Sequence, residues 1–187
     1  MVYGTHMSQE TIDRISQLVA GFDQRVTTAA GKWDQQSPCE EWKARDVVVH
    51  VANNLRRSGA GLGATPLAEM TADEDIDAAW SLSRDTFLAA LPTADWSAII
   101  PGPFGSMPAE EFIGRIIASD VLIHTWDLAR ATGGDETLPA DFVERSYSGL
   151  KPMDAMIRRP GVFGDKTEAP EGCDLQTEFL TFLGRPV

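Results

Sequence analysis

Three ionisable residues recur at helical spacing in the second half of the sequence. Asp120, His124 and Asp127 are four and three residues apart within SMPAEEFIGRIIASDVLIHTWDLARATG, residues 106–133. In a helix they would share one face with a stripe of isoleucine and leucine side chains, which should be buried. Burying charged groups without partners is unfavourable by several kcal/mol, so something must satisfy them. A carboxylate and an imidazole one turn apart can bind a metal ion, and a hydrogen-bonded Asp–His pair is the alternative.

A second histidine occupies a comparable position in the first half. His50 is flanked by valines in DVVVHVANNLRRSG, and Asn54 lies one helical turn beyond it. Side chains from facing helices converge inside a helix bundle, where metals are commonly bound. His50, Asp120 and His124 form a set of two imidazoles and one carboxylate, which leaves a coordination position open as in catalytic zinc sites. The same set suits ferrous iron or nickel, and core histidines satisfied by hydrogen bonds are the alternative.

Other polar residues near these positions are candidates for supporting roles. Asp127 is better placed to accept a hydrogen bond from an imidazole than to bind the metal, although a contact with Arg130 is equally compatible with the spacing. Asn54 lies on the second helix, and we expect it to orient the metal ligands rather than to bind the metal. Arg56 and Arg57 follow it and are candidates for binding substrate, with a solvated helix end as the alternative.

The elements that must position these residues are helices. Apolar periodicity predicts them over residues 8–30, 44–61, 73–91, 106–133 and 139–159, and in DLQTEFLTFLG near the end. We expect the fourth to be a single long helix, capped by Ser106, with Pro108 in its first turn and Gly133 as its stop. The segment before it is expected to be irregular, with a short edge strand at Ala98 to Ile100. We expect this segment to act as a lid or to contact a substrate.

The composition indicates one globular domain. The 187 residues are 43% hydrophobic and carry a formal net charge of −12, which argues against nucleic acid or an anionic membrane as a partner. We set residues 1–6 aside as an expression leader, either disordered or vector-derived, and expect residues 7–187 to form a single all-α domain. The domain is expected to be cytoplasmic and either monomeric or homodimeric. Cys39 and Cys173 are too few for a disulfide framework.

Three stretches resemble a known family. SPCEEWKARDVVVHVANN is similar to the SPCEGWTVRDLVAHV signature of small actinobacterial-type proteins related to the N-terminal domain of mycothiol-dependent maleylpyruvate isomerase. DVLIHTWDLARATG resembles the second signature of that group, and PGVFGD with the final FLTFLGRP resembles the tail of one subgroup. The group belongs to the DinB/YfiT-like superfamily. The resemblance implies a DinB-like four-helix bundle, here with an extra C-terminal helical segment.

The resemblance also implies a divalent metal, usually zinc, bound by His50, Asp120 and His124. Asp120 stands where the isomerase has a longer Glu, so we expect its carboxylate to reach a metal less well. Lys43 replaces the usual Thr, which removes a cap from the second helix. We expect no counterpart of the additional C-terminal domain of the isomerase, so its particular activity is not transferred.

These observations lead to four functional hypotheses. The first is a metal-dependent transferase or isomerase in which a mycothiol-type thiol is the cosubstrate and attacks a small electrophile. The second is a metal-dependent hydrolase, for which no separate carboxylate base can be assigned. The third is a non-catalytic protein whose metal is structural or sensory. In the fourth the site is vestigial, and the carboxylate pairs with the histidines.

Overall fold

The structure is a computed structural model that describes residues 3–159 and 162–187. The first three helices are α1 (Tyr3–Thr28), α2 (Ala44–Gly61) and α3 (Ile76–Ala90). Two short antiparallel strands follow, β1 (Ile99–Gly102) and β2 (Gly105–Pro108). The long helix α4 comprises Ala109–Glu111, a π-helical turn Phe112–Ile117, and Ala118–Thr132. The last helices are α5 (Ala140–Leu150), α6 (Asp154–Ile157) and α7 (Leu175–Phe182).

The four long helices form a bundle around one apolar core. Helix α2 packs against α3 and α4, and α1 packs against α4 and α3, so each helix has two neighbours. The largest fully buried side chains include Phe22, Trp80, Phe87 and Trp126. Helices α5 and α7 pack against each other, and α5 also contacts α4. The predicted all-α fold with an added C-terminal helical segment is therefore confirmed. None of the helices within the described ranges combines the length and apolar character needed to cross a membrane.

The predicted helix boundaries are close to the observed ones. Helix α2 has the predicted limits, and α3 is slightly shorter than predicted. Leu82 of α3 is 52% exposed although it is apolar. Helix α1 begins at Tyr3 rather than at Ser8, so residues 3–6 of the proposed leader are helical. Their origin outside the native sequence remains a prediction. Met1 and Val2, and residues 160–161 of the predicted C-terminal turn, lie outside the described residues.

The start of α2 shows how the chain tolerates the loss of a threonine cap. Lys43 has no side-chain acceptor for the free N–H groups at the helix start. Asp46, three residues later, instead accepts a hydrogen bond from the Lys43 backbone N–H at 2.8 Å. This is the reciprocal half of a capping box, and the negative carboxylate also suits the positive end of the helix dipole. Helix α2 therefore begins at the predicted residue without the usual cap.

The start of α4 differs from the prediction. Ser106 is not a helix cap, because it lies in β2, opposite Pro101 of β1. Gly105 opens β2 with a φ of 110°, a conformation that favours glycine, and the chain turns back on itself there. Helix α4 starts only after Pro108, whose extended backbone ends the strand. The predicted edge strand is thus part of a hairpin, which replaces the first turn of the predicted helix.

Helix α4 is also not a regular α-helix along its length. The π-helical turn Phe112–Ile117 precedes the segment that carries Asp120 and His124. A π-turn inserts extra backbone and changes the direction of the side chains that follow, and such turns are frequent at functional sites. Residues on both sides of it line one cavity. The helix ends at Gly133, which has a φ of 67°, as predicted for a left-handed C-terminal cap.

Candidate metal centre

The three side chains predicted to bind metal meet between α2 and α4. Nε2 of His50 lies 3.0 Å from Oδ1 of Asp120, and Nε2 of His124 lies 3.6 Å from the same oxygen. The two imidazole rings have centroids 4.7 Å apart. The potential ligand atoms of the three residues all lie within 4.8 Å of one another. The shorter Asp120 carboxylate thus reaches both histidines, and two separate helices contribute to one cluster.

Both aspartates of this region favour the ionised form. Burial opposes ionisation of Asp127, but the hydrogen bond from His124 and the guanidinium of Arg185 lower its pKa to about 2. Burial also opposes ionisation of Asp120, but the contacts with His50 and the nearby His124 hold its pKa below the ordinary value. Ionised carboxylates accept hydrogen bonds and cannot donate them. A neighbouring group therefore stabilises these carboxylate oxygens only if it donates a hydrogen bond to them.

Asn54 affects which nitrogen of His50 carries the proton. Its Nδ2 donates to Oδ2 of Asp120 at 2.8 Å and lies 3.0 Å from Nε2 of His50. The amide oxygen accepts a hydrogen bond from Arg57 at 2.7 Å, which fixes the orientation of the amide group. An amide nitrogen has two hydrogens and can donate to both partners, which would leave the proton of His50 on Nδ1; in the other tautomer Nε2 of His50 donates to Oδ1 of Asp120 at 3.0 Å. In both tautomers Nε2 of His50 faces Oδ1 of Asp120.

Asp127 determines the same property for His124. Nδ1 of His124 lies 2.9 Å from Oδ2 of Asp127. Because the carboxylate is ionised, the proton of this hydrogen bond belongs to Nδ1, and Nε2 of the neutral ring has a lone pair. This is the orienting role predicted for Asp127. The alternative contact with Arg130 is replaced by a pair between Arg130 and Glu136 at 2.9 Å.

The arrangement fits a divalent cation. Two imidazole Nε2 atoms and one carboxylate oxygen converge here, and a positive charge between them, from a proton or a metal ion, is favourable. A tetrahedral ion about 2.0–2.1 Å from each ligand would separate neighbouring ligand atoms by about 3.3 Å. The separations of 3.0 Å and 3.6 Å at Asp120 lie on either side of this value. His50, Asp120 and His124 could therefore hold a metal ion with little rearrangement.

A second group of potential ligands lies on the other side of His124. Cys39, His124 and Asp127 also have ligand atoms within 4.8 Å of one another. The guanidinium of Arg185 already occupies this side, with Nη2 2.8 Å from Oδ2 of Asp127 and 3.5 Å from Sγ of Cys39. A metal ion there would face a buried positive charge. The first group is therefore the better candidate for a cation.

The candidate site opens into a cavity of about 1190 Å³. Pockets that bind small molecules usually have about 300–1,000 Å³, so the cavity has room for a substrate and a cosubstrate. Much of its wall is apolar and comes from the hairpin, α4 and the C-terminal region, including Ile100, Phe104, Phe112, Ile116 and Phe163. The segment predicted as a lid thus contributes to the wall. An apolar wall beside charged ligands limits water at the site.

The two arginines predicted to bind substrate behave differently. Arg57 lines the cavity and pairs with Glu69 at 2.6 Å. Arg56 is buried on another side of α2, where Nε donates to Ser83 at 2.8 Å and the guanidinium also donates to two backbone carbonyls. The assignment of Arg56 to the substrate site is therefore corrected. Its hydrogen bonds connect α2 to α3 and to the loop between them.

Three residues of the site were not identified from the sequence. Trp42 packs against both imidazoles with ring centroids 4.8 Å from His50 and 5.6 Å from His124. Cys39 and Arg185 contact Asp127. Trp42 and Cys39 lie within the SPCEEW motif shortly before α2, so that motif was the available signal for them. Arg185 is far from the other site residues in the sequence, and no local pattern indicates it.

Comparisons with known proteins agree with this architecture. Residues 13–129 match the family described as the mycothiol maleylpyruvate isomerase N-terminal domain. Uncharacterized protein Rv0738 of Mycobacterium tuberculosis (strain ATCC 25618 / H37Rv) is 31% identical over 157 residues, which is 81% of this chain and 84% of that protein. Uncharacterized protein MT0763 of strain CDC 1551 / Oshkosh matches to the same extent.

One solved structure has a similar fold. It is the crystal structure of a histidine-to-alanine mutant of the mycothiol-dependent maleylpyruvate isomerase. The two structures superpose with a TM-score of 0.63 over 82% of this chain and 74% of the other, at 16% sequence identity. At this identity the similarity supports the fold alone.

Proposed function

Because the chain belongs to the mycothiol maleylpyruvate isomerase N-terminal domain family, we propose that it is a metal-dependent enzyme that uses a small-molecule thiol. His50, Asp120 and His124 bind one divalent ion, zinc in preference to nickel or iron. The thiol is of the mycothiol type, and the reaction is an S-transfer to a small electrophile or an isomerisation through the same adduct. The observation that carries this proposal is the convergence of two imidazole nitrogens and a carboxylate on the wall of a large cavity.

The ligand set favours a catalytic metal. Structural zinc sites usually have four protein ligands, whereas catalytic sites have three and an open position. The three residues here line the cavity, so an open position would face a substrate. A divalent ion at this point would supply a Lewis acid that lowers the pKa of an incoming thiol.

The thiol must come from a small molecule. Cys39 lies beside the site and lines the cavity, but burial and the negative charge of Asp127 raise the pKa of its thiol to about 12. It therefore stays protonated at neutral pH and is a poor nucleophile. Mycothiol is the thiol in the names of the matched family and of the similar crystal structure, and we extend it to this chain as a proposal.

The other site residues orient the ligands and shape the cavity. Asn54 holds one oxygen of Asp120 and leaves the other for the metal. Asp127 fixes the tautomer of His124, so that Nε2 faces the ligand cluster. Trp42 packs on both imidazoles and restricts their rotation. Pre-organised ligands of this kind bind a metal more tightly than mobile ones.

A structural metal is the second candidate function. The ligands come from α2 and α4, so a bound ion would cross-link two helices of the bundle. Such an ion would stabilise the fold without altering the acidity of a thiol. The two functions therefore differ in one measurable property, the pKa of a thiol added to the metal-loaded protein.

The experiment that tests the proposal is an ultraviolet titration of thiolate formation. Mycothiol, and glutathione in a parallel series, is added to zinc-loaded protein, to the metal-free protein and to Asp120→Asn. We expect thiolate absorbance at a pH well below the ordinary thiol pKa of about 8.5 in the zinc-loaded wild type only. An unshifted pKa for both thiols, in protein that retains its metal, would contradict the enzyme proposal and favour a structural metal.

A further inference from the structure

A residue beyond the matched family region completes the candidate metal centre. The family match ends at residue 129, yet Arg185 reaches Asp127 from the C-terminal segment. Its Nε and Nη2 lie 3.0 Å from Oδ1 and 2.8 Å from Oδ2 of that carboxylate. We propose that Arg185 is a positioning residue for metal binding: it holds Asp127, which in turn holds His124. This inference rests on the proposed metal site.

The geometry leaves Asp127 little freedom. The residue is fully buried, and its two oxygens receive the fork of Arg185, the Nδ1–H of His124 at 2.9 Å and the thiol of Cys39 at 3.5 Å. A two-pronged pair between a guanidinium and a carboxylate fixes orientation as well as charge. Without Arg185, the carboxylate would be a buried anion with one imidazole and one weak thiol donor. It would then be free to rotate, and His124 would lose the contact that orients its ring.

The local backbone directs Arg185 into the protein. Helix α7 is followed by Gly184, which has a φ of 80°. A Cβ at Gly184 would also collide with the carbonyl oxygen of Asp165, so both the backbone conformation and the space require glycine. The backbone N–H of Arg185 then donates to Leu180 at 2.9 Å, and its carbonyl accepts from Thr167 at 3.1 Å. The turn therefore has a definite structure that places this side chain at Asp127.

Arg158 provides a matched comparison within the same region. It also anchors the C-terminal segment, by donating to the carbonyls of Gly164 and Phe182 and pairing with Asp154. It lines the same cavity, but its hydrogen bonds go to partners other than Asp127. Loss of Arg158 should loosen the segment and leave His124 oriented. A purely structural role for Arg185 would make the two arginines equivalent for metal binding.

The test compares Arg185→Met with Arg158→Met in the full chain. Zinc affinity is measured by competition with a chromophoric chelator at a temperature where circular dichroism shows each variant to be folded. We expect Arg185→Met to bind zinc roughly 10–100-fold more weakly than wild type, as for loss of other groups that orient ligands. Arg158→Met should stay within about twofold. In the Asp127→Asn background, Arg185→Met should have little further effect, because it acts through that carboxylate.

A second measurement separates failure of this inference from failure of the metal proposal. Nitrogen NMR of the metal-free protein reports the His124 tautomer, and we expect the Nδ1–H form in wild type and in Arg158→Met but a mixture in Arg185→Met. If wild type binds no zinc, the proposed function fails and the tautomer alone decides the role of Arg185. Equal zinc affinities of wild type and Arg185→Met would overturn the inference. Where no zinc binds, equal His124 tautomers in the two proteins would overturn it. If Arg158→Met weakens zinc binding as much as Arg185→Met, the role is structural.

Discussion

The two sides of His124 have opposite character. On the Nδ1 side, Asp127, Arg185 and Cys39 form a cluster that we call the buried cluster, in which Asp127 is fully enclosed and paired with a cation. On the Nε2 side, His50 and Asp120 form what we call the cavity cluster, which is partly exposed. There the nearest contacts bring three potential metal ligands together, at 3.0 Å and 3.6 Å. One imidazole thus connects an ion-paired cluster to a cluster of potential metal ligands.

The difference indicates which cluster has room for a cation. Buried polar groups in native proteins are nearly always hydrogen-bonded, so the buried cluster is typical of a structural element. The cavity cluster is partly exposed and lines the cavity, so a metal ion can replace the contacts among its members. The buried cluster should therefore contribute to the stability of the metal-free protein, and the cavity cluster to metal binding. Separate substitutions in the two clusters can test this difference.

The largest effect is expected from Asp127→Asn in the buried cluster. It leaves the buried Arg185 without its carboxylate, and breaking a buried ion pair in this way typically destabilises a protein by roughly 3–5 kcal/mol. Denaturant unfolding of the metal-free protein measures the change. The matched control is Asp120→Asn, which keeps the shape of a partly exposed side chain and should alter the free energy of unfolding by only about 1 kcal/mol. Equal losses in the two variants would show that the clusters do not differ.

Metal addition should give the converse result. Wild type should gain about 2.7 kcal/mol of unfolding free energy when free zinc is at 100 times the dissociation constant, by linkage. Asp120→Asn and His50→Gln should gain little, because each lacks one ligand of the cavity cluster. Thermal melting with and without a chelator measures the gain. An equal gain in wild type and both variants would place the metal elsewhere on the protein.

Acid should act on the buried cluster. The folded protein holds the pKa of Asp127 at about 2, below the ordinary 3.8. Because the pKa is lowered on folding, its stabilisation is present above about pH 4 and is lost as the pH falls toward 2. The expected loss is roughly 2 kcal/mol. It is measured as the difference in unfolding free energy between wild type and Asp127→Asn, which should shrink over this range. A difference that is constant with pH would show that Asp127 has no lowered pKa.

The smallest effect is expected at Trp42, which packs on the imidazoles of both His50 and His124. Aromatic pairs contribute about 0.5–1.5 kcal/mol beyond the area they bury. Trp42→Leu should therefore destabilise the metal-free protein by about 1 kcal/mol and weaken zinc binding several-fold. Unfolding and chelator competition measure the two quantities. Unchanged zinc affinity would show that the ring does not help to orient the ligands.

The sequence predicted the cavity cluster because its signal is local. His50, Asp120 and His124 stand out as polar residues on apolar helical faces, and a bundle brings such faces together. The role of Asp127 could also be predicted, since Asp127 is one helical turn from His124. The buried cluster was only partly predictable, because the Arg185–Asp127 pair connects positions 58 residues apart. No periodicity relates these positions, and only the packed tail brings them into contact.

The differences between the predicted and the observed fold have similar physical reasons. The hairpin before α4 has strands of four residues each, too short for an alternating pattern to appear. Ser106 and Pro108 have the residue types of a helix start, but the turn at Gly105 pairs them with β1 instead. The π-turn at Phe112–Ile117 was not predicted, because its residues also suit an ordinary α-helix. Helix α2 kept its predicted start because Asp46 compensates for Lys43.

The most direct test is the metal content of the protein itself. Wild type and Asp120→Asn are expressed without residues 1–6 and without a histidine tag, reconstituted with zinc, nickel or ferrous iron, and analysed by mass spectrometry after removal of unbound metal. We expect one equivalent of metal in wild type, with zinc retained best, and almost none in the variant. A folded wild type that retains no metal would contradict the proposed metal site and leave the cavity cluster as a hydrogen-bonded network of Asp120 and the two histidines.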